Sequence, residues 1–301
     1  MEPRLFYLDL IQCLSAQGTC SVYTDPATGE KGYAPFPGAL CQELSVKPEV
    51  HLLGGGHVSA ALCFLLHTLD WRVSVQDDRP EFVTEQRFPH ARRLCAPFDP
   101  LPPFRDGDYA VILTRGHQDD YACLRQLLRR RCGYLGMIGS RSKVAATAQR
   151  LREDGFTPEE IAGVHSPVGL RIGAQTPEEI AVSIAAELIQ VFRASPRDYL
   201  ERPISEALKA QNGPLVMATV LEKTGSSPRG AGARMLVGPD GSITGTIGGG
   251  AVEAAAIREA ASLCGSACPQ IRTYDLSNGA AATLGMICGG RIRVLFEPLN
   301  L

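Results

Sequence analysis

The stretch from Val50 to Ser59 has the sequence VHLLGGGHVS, a short apolar run followed by three glycines. An apolar run that ends in a glycine loop is typical of the first strand and phosphate-binding turn of a Rossmann-type domain. Residues 57–69 then carry apolar side chains at helical spacing, and residues 72–75 form a second apolar run that ends at Asp77-Asp78. This pattern predicts a βαβ unit of about 30 residues, the length that such a unit needs.

The alternation of strands and helices continues along the chain. Further elements are predicted in turn at residues 109–114 (strand), 119–131 (helix), 133–139 (strand) and 142–153 (helix). Thr-Pro-Glu-Glu segments at 157–160 and 176–179 have the capping-box pattern that starts a helix. The fold class is therefore α/β, with a Rossmann-type parallel sheet.

The pattern changes beyond this region. Residues 195–203 are predicted to be a linker or a loosely packed connection. The rest of the chain contains strands separated by glycine-rich loops, with a helix at 251–263. These features predict a smaller α+β domain, so the chain is expected to contain two domains.

Composition limits the classes of function. The 301 residues have a net charge of −2, no long basic run and no apolar run that could span a membrane, so neither nucleic acid nor a membrane is expected as a partner. The N-terminal Met-Glu-Pro-Arg lacks the pattern of a secretory signal. Ten cysteines without a CxxC pair indicate reduced, mostly buried thiols in a cytoplasmic protein.

The glycine loop is the first candidate site. It consists of Gly54, Gly55 and Gly56, and His57 directly after them suits a ligand or proton donor or, equally, a cap of the following helix. Small residues let backbone N–H groups approach a pyrophosphate, and the start of the following helix favours an anion. Asp77 and Asp78 lie about 20 residues further on, where an acid at the end of the second strand binds ribose hydroxyls. The loop therefore predicts a bound nucleotide such as NAD or NADP.

His57, His117 and Asp120 form a second candidate site, a metal site. Loops at the carboxyl ends of parallel strands converge, so these side chains are expected to face one another. Two imidazoles and a carboxylate bind a divalent metal. The alternatives stay open, because His57 and the polar residues 117–120 also suit helix starts. Residues 139–143, Gly-Ser-Arg-Ser-Lys, suit either an anion or a solvated helix start.

Glycine-rich loops and a cysteine mark the smaller domain. Residues 225–230, residues 248–250 with nearby Glu253, and Cys288-Gly289-Gly290 lie between its strands. Such glycine density indicates backbone that a ligand or another chain approaches closely. Cys288 suits a nucleophile or sulfur carrier, or equally a buried inert thiol.

Together these motifs resemble the XdhC/CoxI family, the accessory proteins of xanthine dehydrogenase and related molybdenum hydroxylases. In the first part the resemblance rests on residues 53–58, 71–82, 113–120, 136–141, 165–170 and 173–181. In the second part it rests on residues 225–237, 245–253 and 288–298.

The resemblance implies that the chain binds molybdenum cofactor and assists its sulfuration or its insertion into a partner such as xanthine dehydrogenase. It also implies a homodimer. The residues that the resemblance assigns to cofactor binding are Ser226, Ser227, Arg229, Gly248, Gly249, Gly250 and Gly289. By the same resemblance, Cys288 would bind the cofactor or handle sulfur, and Glu253 would act as a base or orienting group.

The order of the domains departs from the family pattern. The family usually places the glycine- and cysteine-containing domain first, so this chain resembles a circular permutation. The permutation predicts a Rossmann-type nucleotide-binding domain at 49–198 and a discontinuous XdhC/CoxI-type domain that combines 1–45 with 205–301. Ala251 stands where several family members carry cysteine, so Cys288 would act alone.

Two other functions compete with the accessory role. The glycine loop and Asp77 suggest an NAD(P)-dependent oxidoreductase, although the chain has no Tyr-x-x-x-Lys pair. A scaffold that only docks a hydroxylase would use the glycine-rich loops as an interface. The resemblance favours a cofactor-maturation chaperone over a stand-alone enzyme.

Overall fold

The computed structural model describes residues 2–25, 28, 30–194, 198–210, 213–225, 231–275 and 290–299. The chain divides into two compact units. One is Pro48–Pro196, named here the Rossmann unit, and the other combines Met1–Lys47 with Arg197–Leu301 and is named here the split unit. The circular permutation itself stays a prediction.

Both units contain helices and strands. The helices are α1 (Pro3–Gln17), α2 (His57–Thr68), α3 (His117–Leu127), α4 (Arg141–Glu153), α5 (Pro158–Ala162), α6 (Pro177–Ala194), α7 (Arg202–Ala210) and α8 (Gly250–Leu263). The strands are β1 (Thr19–Thr24), β2 (Lys31–Gly32), β3 (Leu40–Ser45), β4 (Val50–Leu53), β5 (Val73–Asp77), β6 (Arg92–Cys95), β7 (Tyr109–Ile112), β8 (Tyr134–Met137), β9 (Asp198–Tyr199), β10 (Leu215–Gly225), β11 (Arg234–Val237), β12 (Ile243–Gly245), β13 (Gln270–Asp275) and β14 (Gly290–Leu299).

The Rossmann unit contains one parallel sheet, with its strands in the order β6-β5-β4-β7-β8. Every side chain of β4, β7 and β8 is buried, because helices cover a parallel sheet of this kind on both faces. The strand order reverses between β4 and β7, and ligands of such sheets bind outside the carboxyl ends of the strands at this point. The predicted α/β fold class with a Rossmann-type sheet is confirmed.

Local sequence signals place most of the elements of this unit. The capping box at Thr157 is confirmed, since Thr157 Oγ1 accepts the Glu160 N–H and the Glu160 carboxylate accepts the Thr157 N–H. The helix predicted at 119–131 instead begins at His117 and ends at Leu127. Strand β6 was not predicted, because all four of its side chains are exposed and it lacks an apolar pattern.

The split unit contains two sheets. Strands β12-β11-β10-β14-β13 form an antiparallel sheet, and strands β2-β1-β3-β9 form a mixed one. The predicted linker at 195–203 is wrong for its described part, because β9 pairs with β3 and α7 begins at Arg202. Helix α7 is held by burial of Ile204 and Leu208 in a core shared with α1. In the part of the chain that the structure describes, no helix is long and apolar enough to cross a membrane.

Candidate functional site

The glycine loop between β4 and α2 packs tightly against neighbouring backbone. Gly54 has a φ of 114°, and a Cβ added to it would lie 2.3 Å from the carbonyl oxygen of Leu113. A Cβ added to Gly55 would lie 2.4 Å from the carbonyl oxygen of Phe82. A Cβ added to Gly56 would meet no atom within 4 Å. Two of the three glycines are therefore required by packing, and the third faces open space.

Helix α2 begins directly after this open glycine. Gly56 is its N-cap and supplies no side-chain hydrogen bond to the first-turn N–H groups. The first backbone bond of the helix runs from the Ala60 N–H to the Gly56 carbonyl. Since the N-terminus of a helix attracts anions, this start suits a phosphate group. His57, the first helical residue, has an exposed side chain beside it.

Ser59 stands at the last position of the G-x-G-x-x-G pattern that begins at Gly54, where dinucleotide-binding loops carry a glycine. Its side chain is completely buried, and its hydroxyl donates to the Gly54 carbonyl oxygen. This bond ties the first glycine of the loop to the first turn of α2. Serine at this position therefore holds the shape of the loop through a hydrogen bond.

Asp77 anchors the loop and does not face solvent. Its carboxylate accepts the Gly55 N–H at 2.8 Å and two guanidinium N–H groups of Arg79 at 2.9 and 3.0 Å, and its side chain is 2% exposed. Burial opposes the charged form, but the bonds from Arg79 and Gly55 outweigh it and lower the pKa of Asp77. Both carboxylate oxygens of Asp77 are thus engaged within the protein, and its predicted ribose role stays a prediction.

Asp78 is the exposed acid at the end of β5. Its side chain is 36% exposed and forms an ion pair of 3.1 Å with Arg115, which lies in the loop after β7. Of the two predicted acids, Asp78 is thus the one that a ribose hydroxyl can reach. Asp78 belongs to the original prediction of a ribose-binding acid, which stays a prediction.

Two arginines beside the loop were not singled out from the sequence. The Arg79 guanidinium lies 3.6 Å from the centre of the Phe82 ring, and Arg87 Nη2 donates to the Gly55 carbonyl oxygen at 2.9 Å. Because Arg79 is neutralised by its ion pair with Asp77, Arg87 is the arginine of these two that adds positive charge beside the glycine loop. In the sequence, Arg79 could have been recognised because it lies two residues after Asp77, one of the predicted acids.

The predicted metal site is not formed by the residues that the structure describes. Asp120 is completely buried, accepts a hydrogen bond from Thr114 Oγ1 at 2.6 Å and forms an ion pair with Lys143. Burial is the largest effect on Asp120 and raises its pKa, although Lys143 and Thr114 act in the opposite direction. His57 and His117 both have exposed side chains. Within the described ranges, no three His, Cys, Asp or Glu side chains are grouped to hold a metal ion.

At the predicted anion site, residues 139–143, polar groups already form a hydrogen bond and an ion pair within the protein. The backbone N–H of Lys143 donates to Ser140 Oγ, the N-cap of α4, so this helix start is capped by its own side chain. The Lys143 ammonium pairs with Asp120 and is largely buried. An anion therefore finds fewer open donors here than at the start of α2.

In the split unit, Glu253 organises the loop from Gly248 to Gly250. Its Oε2 atom accepts the N–H groups of Ile247 and Gly249 at 2.9 and 3.1 Å, and also the hydroxyl of Thr246. Burial opposes the charged form, but these bonds prevail and lower the pKa of Glu253. The geometry thus gives Glu253 an orienting role, and its lowered pKa makes it a weak base.

The remaining predicted site residues lie outside the described residues. These are Ser226, Ser227, Arg229, Cys288 and Gly289. Their assignment to cofactor binding and sulfur chemistry therefore stays a prediction.

Comparisons with known proteins match both units. The XdhC Rossmann domain model matches residues 50–188, and the model of the XdhC and CoxI family matches residues 208–275. The chain is 34% identical over 175 residues to the uncharacterized protein YqeB of Escherichia coli, a match over 55% of this chain and 32% of that protein. It is 35% identical over 153 residues to a probable xanthine dehydrogenase subunit of Bacillus subtilis, over 50% of this chain and 44% of that protein.

A solved structure is also similar. A crystal structure described as a xanthine dehydrogenase from Bacillus halodurans matches with a TM-score of 0.52 and 25% identity, over 62% of this chain and 65% of that one. The chain matches less than half the length of either curated relative. With family models matching in both units, the chain belongs to the XdhC/CoxI family.

Proposed function

We propose that this chain is an accessory protein of a molybdenum hydroxylase related to xanthine dehydrogenase, and that it binds molybdenum cofactor and assists its sulfuration or insertion. Family membership and the names of two similar proteins support the hydroxylase as partner. One structural observation carries the binding part of the proposal. The start of α2, behind the open position at Gly56, offers backbone donors to an anionic group.

The two glycine loops differ in how well they fit the anionic end of the cofactor. At Gly248 and Gly249 the backbone N–H groups already donate to Thr246 Oγ1 and Glu253 Oε2. Helices α2 and α8 both begin without a side-chain cap, so the difference between the loops lies in the Glu253 carboxylate, which already occupies the loop before α8. Among the described residues, a phosphate or nucleotide end therefore fits the Rossmann loop better than the loop at 248–250. The bound cofactor would supply the molybdenum centre, and this chain would hold its anionic end.

Binding is tested on the full chain by isothermal titration with molybdenum cofactor released from a purified hydroxylase, and with NAD, NADP and ATP. The informative variant is Gly56→Asp, because its carboxylate would cap α2 and repel an anion. Gly56→Asn is the matched control, since it caps the helix without charge. We expect binding to weaken at least about tenfold in Gly56→Asp relative to Gly56→Asn, which corresponds to about 1.4 kcal/mol.

The accessory role is tested by activating a cofactor-free hydroxylase with molybdenum cofactor, with and without the chain. We expect faster or more complete activation when the chain is present. A Cys288→Ala variant with full activation would remove the proposed sulfur role of this residue. Equal activation with and without the chain would contradict the accessory role itself.

The NAD(P)-dependent oxidoreductase is the second candidate, favoured by the strand order of the sheet and by exposed Asp78 at the end of β5. Tight binding of NAD or NADP without binding of molybdenum cofactor would select it over the accessory role. A homodimer, also proposed from the family, is tested by light scattering during gel filtration of the full chain. Elution as a monomer across micromolar concentrations would contradict it.

A further inference from the structure

Cys13 and Cys20 form a pair of contacting thiols in the split unit. Their Sγ atoms lie 3.4 Å apart. Cys13 lies in α1 and Cys20 in β1, and Gly18, with a φ of 81°, reverses the chain between them. A disulfide requires a sulfur–sulfur distance of about 2.05 Å, so the two atoms need to approach by roughly 1.4 Å. Small rotations of two side chains cover such a distance.

Exposure distinguishes this pair from the thiols of the cores. Among the described cysteines, Cys63 and Cys123 are buried, whereas Cys13 and Cys20 are half-buried. The expectation of mostly buried thiols was therefore wrong. A half-buried thiol is within reach of a small reagent, whereas a buried one is protected.

The surroundings of Cys20 keep this residue in the thiol form at neutral pH. Burial, followed by the contact with Cys13, raises the pKa of Cys20 to about 11. Asp9 lies nearby, adds to this effect and accepts a hydrogen bond of 2.6 Å from Tyr33. The attacking species is the thiolate, so Cys20 reacts slowly with oxidants at neutral pH.

We propose that Cys13 and Cys20 are a reversible disulfide site whose reaction partner is a small-molecule disulfide. The thiolate of one cysteine attacks the small disulfide and releases one half of it. The thiolate of the other cysteine then attacks the mixed disulfide and releases the second half. One protein S–S bond forms and one small S–S bond is reduced by two electrons. The two cysteine protons pass to the two released thiolates.

The new bond would connect α1 to β1. Helix α1 contributes Phe6, Leu10 and Leu14 to a core that also contains Val22 of β1. Oxidation would therefore join two elements that already share a core, and it would restrict the unfolded chain between them. We expect the oxidised protein to unfold at a higher urea concentration than the reduced one.

The sequence permits a direct test on the full chain. Trypsin cleaves after Arg4 and Lys31, and residues 5–31 contain Cys13 and Cys20 and no further cysteine. The protein is equilibrated with oxidised and reduced glutathione, alkylated under denaturing conditions, digested and measured by mass spectrometry. We expect peptide 5–31 to lose two hydrogens and to carry no alkyl group or glutathione. Dithiothreitol should restore two alkylation sites.

Two variants control the experiment. Cys41→Ser removes an exposed thiol in β3 of the same sheet and should leave the disulfide unchanged. Cys13→Ser should leave Cys20 as a glutathione adduct. Two alkyl groups on the wild-type peptide, under conditions that modify Cys41, would overturn the proposal. A wild-type peptide that carries a single glutathione adduct would also overturn the proposal. Both results are measured on the wild-type protein.

Discussion

Two glycine loops in this protein each lead into a helix, yet their glycines are required for different reasons. In the Rossmann unit, an added Cβ at Gly54 would lie 2.3 Å from the carbonyl oxygen of Leu113. In the split unit, an added Cβ at Gly249 would meet nothing within 4 Å, but its φ of 77° and ψ of −179° are essentially restricted to glycine. Packing therefore fixes the first loop, and backbone conformation fixes the second.

The acids that anchor the two loops also differ. Asp77 accepts one loop N–H, from Gly55, and is paired with Arg79, so the start of α2 stays open. Glu253 accepts two N–H groups from its own loop segment, those of Ile247 and Gly249. Neither helix start has a side-chain cap, but the Glu253 carboxylate opposes an anion at the second loop, whereas Asp77 at the first loop is neutralised by Arg79. Similar glycine content thus encodes an open site in one unit and an internally satisfied turn in the other.

The largest expected effect is that of Gly54→Ala. The new Cβ would meet backbone that has no room to shift, and the φ of 114° adds strain, so we expect a loss of about 4 kcal/mol in the free energy of unfolding. Trp71 is the single tryptophan and is buried in the Rossmann unit, so its fluorescence during urea unfolding reports this unit. Gly56→Ala is the matched control, expected within about 0.5 kcal/mol of wild type. Equal stability of the two variants would refute the packing explanation.

A smaller effect is expected for Gly249→Ala. Because no atom crowds the new Cβ, only the unfavourable backbone conformation counts, and we expect a loss of about 2 kcal/mol. Calorimetry of the full chain should show a lower unfolding temperature, with Trp71 fluorescence unfolding unchanged because Trp71 lies in the other unit. A loss as large as that of Gly54→Ala would indicate that this loop is also constrained by packing.

Asp77→Asn tests the anchoring acid of the Rossmann loop. The variant loses a charge-assisted pair with Arg79, and we expect a cost of about 1.5 kcal/mol at pH 7, again followed by Trp71 fluorescence. The folded pKa of Asp77 is lowered, so its contribution is present above the unfolded value of about 3.9 and is lost as the pH falls below it. Wild type and variant should therefore converge in stability as the pH falls below about 3.9. A difference that is independent of pH would contradict the ion pair.

The sequence predicted the fold more fully than the contacts of the site. Strand β4 and helix α2 follow from apolar periodicity and glycine, which are local signals. The occupation of Asp77 by Arg79 and the pairing of Asp120 with Lys143 depend on where side chains meet in the folded sheet. For this reason the pattern of His57, His117 and Asp120 suggested a metal site that the described structure does not form.

The smallest expected effect is that of Glu253→Gln, which tests the anchor of the second loop. The amide oxygen keeps the ability to accept N–H groups but loses the negative charge, so we expect a cost of about 1 kcal/mol at pH 7. Because the folded pKa of Glu253 is lowered, this cost should vanish as the pH falls below the unfolded value of about 4.3. Hydrogen exchange gives the local measurement, and the amides of Ile247 and Gly249 should exchange faster in the variant than in wild type. Unchanged protection of both amides would show that backbone conformation alone holds this loop and that Glu253 does not anchor it.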